Sequence, residues 1–167
     1  GLDEQMRTPP AGSSGVGSSM HLRKGERVAV RQLLTGAAVA PGNDAITALA
    51  LRVAGNERQF VRAMNQKAKG LGLNRTEFKN PTGLPAAGQR STPRDIASLT
   101  LAYLRAHPGA QKFHSTRVFT HRNRQMANTN ALLGSVRGVN GLKTGWTVAS
   151  GYNLIVTAQP GHRRLLA

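Results

Sequence analysis

Prolines and glycines cut this chain into short apolar segments, each the length of one helix or one strand, and that punctuation constrains the fold more than any other feature. From Arg31, the residues Leu33, Leu34, Ala37 and Ala38 recur at helical spacing until Pro41-Gly42 stops them. Asn43 then stands where it caps a second helix, with Asp44 in the first turn, favoured by the macrodipole. That helix carries Ala45, Ile46, Leu49, Ala50 and Val53 and ends at Gly55. Asn56 opens a third, with Phe60, Val61, Met64 and Ala68 as its stripe and Gly70 and Gly72 closing it. Thr92 is the N-cap of a fourth, Pro93 suits its first position and Asp95 completes a capping-box pattern. Ile96, Leu99 and Leu104 give it a buried face until His107-Pro108-Gly109 ends it.

The remaining apolar runs are strand-like. Residues 27–30 form one before the first helix, and residues 117–120 another after a short helical turn. Residues 142–145, 152–158 and 163–166 make three more, with Pro160-Gly161 as the tight turn of a closing antiparallel hairpin. The stretches 74–90 and 123–141 read as connections, and residues 1–19 as a Gly/Ser/Pro-rich irregular lead-in to one unit over 20–167. A helical cluster followed by antiparallel strands, without βαβ alternation, gives an α/β chain of the α+β type.

Composition narrows the function. Hydrophobic residues make up 39% of the 167 but aromatics only 4%, so the core must be aliphatic and alanine-rich. No apolar run approaches the roughly 20 residues of a membrane span. Cysteine is absent, which excludes disulfide and thiolate chemistry. A net charge of +16 points to an anionic partner: nucleic acid, an anionic membrane surface or a cell-wall polymer. The basic residues are scattered, however, with no aromatics interleaved for base stacking, so no specific nucleic acid is expected. His107, His114 and His121 recur every seven residues, but across a helix stop and into a strand. No carboxylate accompanies them at ligand spacing, so neither a metal nor a cofactor is expected. There is no phosphate-binding glycine loop and no G-x-S-x-G elbow.

Five blocks in order carry the remaining signal: "GSSMHLRKGERVAVRQLL", "PGNDAITALA", "FVRAMNQKAKGLGLNRTEFKNPTGL", "STPRDIASL" and "GVNGLKTGWTVASGYNL". A lone Lys-Thr-Gly is weak, and on its own Lys143 would be a solvated strand-edge charge. Together the blocks resemble the serine D-alanyl-D-alanine carboxypeptidases, the low-molecular-mass penicillin-binding proteins of peptidase family S11. The resemblance runs from about Gly17 to the end and implies part of the penicillin-binding-protein/β-lactamase-like transpeptidase fold.

In that family the serine of an S-x-x-K motif attacks the D-Ala–D-Ala amide and the lysine takes its proton. An S-x-N motif supplies a relay hydroxyl and an amide, and a K-T-G strand docks the peptide as an added strand. The resemblance makes Lys143 the carboxylate and electrostatic anchor, assisted by the Thr144 hydroxyl, with Gly145 allowing close approach. The Trp146 N–H would be an oxyanion-hole donor, and Asn43 matches the asparagine of S-x-N, a role compatible with capping a helix.

Two departures stand out. No lysine has a serine three residues before it, and Pro41 occupies the serine position of S-x-N, where it offers neither hydroxyl nor N–H. In the family S-x-x-K precedes the "GSSM" block, so the chain reads as an incomplete copy, inactive alone. The implied partner is a peptidoglycan stem peptide ending in D-Ala-D-Ala, with β-lactams bound only when the nucleophile segment is supplied. The implied location is periplasmic or otherwise extracytoplasmic, with any membrane association made through other segments. A non-catalytic stem-peptide binder and a basic nucleic-acid-binding module are the alternatives.

Overall fold

A computed structural model describes residues 1–9, 17–40 and 42–167. Strand β1 (Gln5–Arg7) pairs antiparallel with β2 (Arg27–Ala29), Met6 opposite Val28. Helices α1 (Val30–Val39), α2 (Asn43–Ala54) and α3 (Glu57–Gly70) follow, then α4 (Pro93–Ala106). A 3-10 turn (Pro108–Ala110) leads into the single-turn α5 (Gln111–His114). Strands β3 (Val118–His121) and β4 (Arg124–Ala127) form a hairpin, and β5 (Val139–Thr147), β6 (Gly151–Ala158) and β7 (Leu165–Leu166) form an antiparallel sheet in that order.

The helix ends follow from the capping chemistry. Asn56 Oδ1 accepts the Gln59 N–H at 2.9 Å and Thr92 Oγ1 accepts the Asp95 N–H at 3.2 Å, contacts that each stabilise a helix end by about 1 kcal/mol. The Asp95 carboxylate does not close a capping box; it accepts the Arg75 N–H and the Thr76 hydroxyl, tying the 74–90 loop to α4. Gly42 takes the cap position of α2, so Asn43 is its first helical residue rather than its cap.

The core is aliphatic, as the composition requires. Met6, Met20, Val28, Leu33, Ala45 and Ala48 pack together, with Leu22, Val30, Ala37, Leu49, Phe119 and Met126 around them. Alanines on α2 let α1 approach closely. Val53, placed on the apolar stripe of α2 by periodicity, is 71% exposed, because that end of the helix runs past the core.

Two segments differ from their sequence reading. The stretch expected to be an irregular lead-in contains β1, whose three residues are too few to show alternation and are ordered by pairing with β2. The 123–141 connection, whose residues 139–141 already belong to β5, contains β4, which pairs with β3 from Val118↔Ala127 to His121↔Arg124. Its two-residue turn, Arg122-Asn123, lacks the Asn-Gly or Asp-Gly signature, although Arg122 adopts φ 54°.

Candidate functional site

Strand β5 brings Lys143, Thr144, Gly145 and Trp146 to one edge of the three-stranded sheet. Each has a partner on β6: Lys143↔Ile155, Thr144↔Leu154, Gly145↔Asn153 and Trp146↔Tyr152. Among the described residues no strand lies on the other edge of β5. Alternation puts Lys143 and Gly145 on one face, with Leu142, Thr144 and Trp146 on the other. The half-buried Lys143 turns its Nζ to donate to the Thr144 carbonyl at 2.7 Å. Burial pushes its pKa below the ordinary 10.5. A Cβ placed on Gly145 would meet nothing within 4 Å, so the space over it is open. Trp146 is 58% exposed and lies against Tyr152, ring centroids 6.1 Å apart, as an exposed cross-strand aromatic pair.

Asn43 opens α2 and is buried. Its N–H donates to the Ser18 carbonyl at 3.0 Å. Gly17, at φ +83°, passes directly over its side chain: a Cβ there would lie 2.6 Å from Asn43 Nδ2. The neighbouring Asp44 fastens the same loop. It accepts the Met20 N–H at 2.9 Å, the Ser19 hydroxyl at 2.6 Å and the Leu22 N–H at 3.0 Å. Burial pushes its carboxyl up, but these bonds and the Ala45 N–H outweigh that and hold it below its ordinary 3.8. Pro41, at the serine position of the S-x-N match, lies outside the described residues.

One residue joins the two halves. Thr129 N–H donates to the Val39 carbonyl at the end of α1 (3.1 Å), and its hydroxyl lies 2.5 Å from that of Thr144. The K-T-G strand is thereby tied to the junction from which Asn43 and α2 start. Sequence reasoning missed Thr129, since a polar residue in a long connection carries no local signal.

It also missed what the histidines do. His114 is half-buried, with Nδ1 3.2 Å from the Leu142 carbonyl and Nε2 3.0 Å from the Tyr103 hydroxyl. Burial lowers its pKa below 6.5; the Leu142 bond pulls it up and the charge of Lys143 pushes it down further. His107 lies tilted against Tyr103, centroids 6.0 Å apart, and His121 is buried beside Glu26, its Nε2 3.1 Å from Oε1. His107 and His114 thus both lie against Tyr103 while His121 sits beside Glu26, and among the described residues no group of three His, Asp or Glu side chains surrounds a metal-sized point.

Comparison with known proteins gives this arrangement its relatives. The family model described as D-alanyl-D-alanine carboxypeptidase matches residues 6–167. The chain is 39% identical over 171 residues to D-alanyl-D-alanine carboxypeptidase DacF of Bacillus subtilis, covering 99% of this chain and 44% of that protein. It is 44% identical over 154 residues to DacD of Escherichia coli, covering 91% of this chain and 40% of that protein. Among solved structures, penicillin binding protein 6B of Escherichia coli superposes with a TM-score of 0.91 at 39% identity, over 99% of this chain and 54% of that one. The cefotaxime-bound penicillin-binding protein D2 of Listeria monocytogenes superposes at 0.85 with 31% identity, over 99% and 68%. The chain thus spans less than half the length of those two curated relatives.

Proposed function

The chain belongs to the D-alanyl-D-alanine carboxypeptidase family, and from that membership we propose that it supplies the peptide-docking half of a site acting on peptidoglycan stem peptides ending in D-Ala-D-Ala. The observation that carries the reading is β5 itself. A half-buried lysine precedes an open glycine on a strand whose second edge has no strand partner among the described residues. An extended peptide adds to such an edge through main-chain hydrogen bonds. Its terminal carboxylate lies along that edge, reached by the Lys143 ammonium from one face and by the Thr144 hydroxyl from the other. Gly145 leaves room for the peptide backbone, and the Trp146 N–H serves as an oxyanion donor. Asn43 contributes the amide of the S-x-N match, from the far side of the Thr129 bridge.

Turnover in this family resemblance runs through a serine acyl-enzyme, and this sequence holds no S-x-x-K pair and has Pro41 in place of the relay serine. The chain by itself is therefore a docking module that does not acylate, since loss of a nucleophile or its base removes orders of magnitude of rate. The substrate lies outside the cytoplasm, and we place the chain there too; among the described residues no helix is long and apolar enough to cross a membrane.

Calorimetry with a peptide ending in D-Ala-D-Ala tests docking. Saturable binding that weakens at least about tenfold on Lys143→Ala supports it; absence of binding, or binding indifferent to that substitution, rejects it. Labelled penicillin tests the chemistry: no covalent adduct is expected on this chain, and an adduct would overturn its assignment as a docking module.

A further inference from the structure

The short helix α5 contacts β5 immediately before Lys143, and does so through side chains. Gln111 Nε2 donates to the Asn140 carbonyl at 2.5 Å and to Thr157 Oγ1 at 3.2 Å. Two residues further along the strand, His114 Nδ1 meets the Leu142 carbonyl. Between the two acceptors sits Gly141, where a Cβ would lie 2.8 Å from Gln111 Nε2 and 3.2 Å from His114 Cβ. The strand and the helix touch there with no room for a side chain. On its other side the His114 ring meets Tyr103 of α4 edge-on, centroids 5.7 Å apart and planes at 88°.

The hydrogen bonds fix the tautomer of the neutral ring. A carbonyl only accepts, so Nδ1 carries the proton. In the neutral ring Nε2 is then the acceptor of the Tyr103 hydroxyl, so one tautomer satisfies both partners. His114 is thus a rigid spacer of defined length between α4 and the residue preceding Lys143.

We propose that His114 is a positioning residue for the docking site: by bridging the Tyr103 hydroxyl and the Leu142 carbonyl it sets the height of β5, and with it the placement of the Lys143 ammonium. Its importance for binding rests on the reading that Lys143 holds the peptide carboxylate; its effect on Lys143 itself does not.

The 167-residue chain is compared with His114→Leu, which fills the volume without a donor, and with His114→Asn, whose amide N–H replaces Nδ1–H. The first measurement is the rate at which an amine-reactive reagent labels Lys143, read by mass spectrometry. Labelling at least about threefold faster in His114→Leu and intermediate in His114→Asn, which keeps the Leu142 bond but not the Tyr103 bond, is expected, because the half-buried ammonium loses its fixed seat. An unchanged rate in His114→Leu overturns the proposal, whether or not the peptide binds. The second is affinity for the D-Ala-D-Ala peptide in a double-mutant cycle with Lys143→Ala. His114→Leu should cost about tenfold alone and less than about twofold beside Lys143→Ala, because both changes remove the same interaction. Equal losses in both backgrounds mark a general structural role and overturn the proposal. Indifference to Lys143→Ala with altered labelling instead rejects the docking reading and leaves the positioning intact. Should His114→Leu fail to fold, Tyr103→Phe removes only the hydroxyl and takes its place in both measurements, with the same direction expected.

Discussion

Lys143 is charged against the preference of its surroundings, and that gives its role a pH signature. Its folded pKa lies below 10.5, so the unfolded chain binds more protons than the folded one between that lowered value and 10.5. Folding stability therefore rises with pH through this window. The proposed carboxylate binding moves the opposite way: it is expected in full below the lowered pKa and is lost as pH rises through it. Calorimetric titration of the D-Ala-D-Ala peptide across alkaline pH should show affinity falling before 10.5 is reached, with proton uptake on binding in that range. Gly145 is the complementary test of space. Nothing stands within 4 Å of a Cβ at that position, so Gly145→Ala should leave thermal stability within about 0.5 kcal/mol. The added methyl stands where the proposed peptide backbone approaches, and affinity should drop by about tenfold or more. A parallel loss of stability and binding would count against an open docking edge.

The elements around the site are held by polar clamps as well as by core packing. Asp44 shows how this works. One buried carboxylate collects donors from Ser19, Met20 and Leu22 and so fixes the loop that reaches Asn43. Asp44→Ala leaves the Met20 N–H buried without its partner, and urea unfolding should show a loss of about 3 kcal/mol. The pH dependence follows from the lowered pKa: the stabilisation is present above 3.8 and disappears as pH falls through the folded value. In Asp44→Asn that acid-side slope should shrink. The cap residues of α3 and α4 were legible, because Asn56 and Thr92 act on donors only three residues away, whereas the expected buried faces are only partly covered, Ala68 and Thr100 being the buried residues of the two helices. β4 was not, because its only reason to be extended is β3.

The whole molecule has the mixed helix and antiparallel-sheet fold of the penicillin-binding proteins it superposes on. Its +16 charge is a property of the entire surface, with arginines spread over every helix from α1 to α4. Such a surface attracts any polyanion. Gel-shift assays should show DNA binding without sequence preference that weakens steeply with salt, since it depends on counterion release. Affinity that survives about 0.3 M salt, or discriminates between sequences, would restore a dedicated nucleic-acid role.

By itself the sequence determined the helices, the closing hairpin, the family and the strand that carries Lys-Thr-Gly. Each of these is written in short-range patterns: apolar spacing, a capping side chain three residues from its donor, a Pro-Gly turn, five motif blocks in order. Only the tertiary structure decided what holds that strand in place. Thr129 meets Thr144 across 15 residues, His114 meets Leu142 across 28, and Asp44 reaches back 25 to Ser19. No local periodicity encodes such partners. A hydrogen bond between distant segments costs no local propensity and leaves no local trace, so Asp44 reads as a helix-dipole residue and His114 as a histidine in an unremarkable short turn. The same reason explains β1 and β4, strands too short or too polar to announce themselves, which exist because β2 and β3 offer them a ladder.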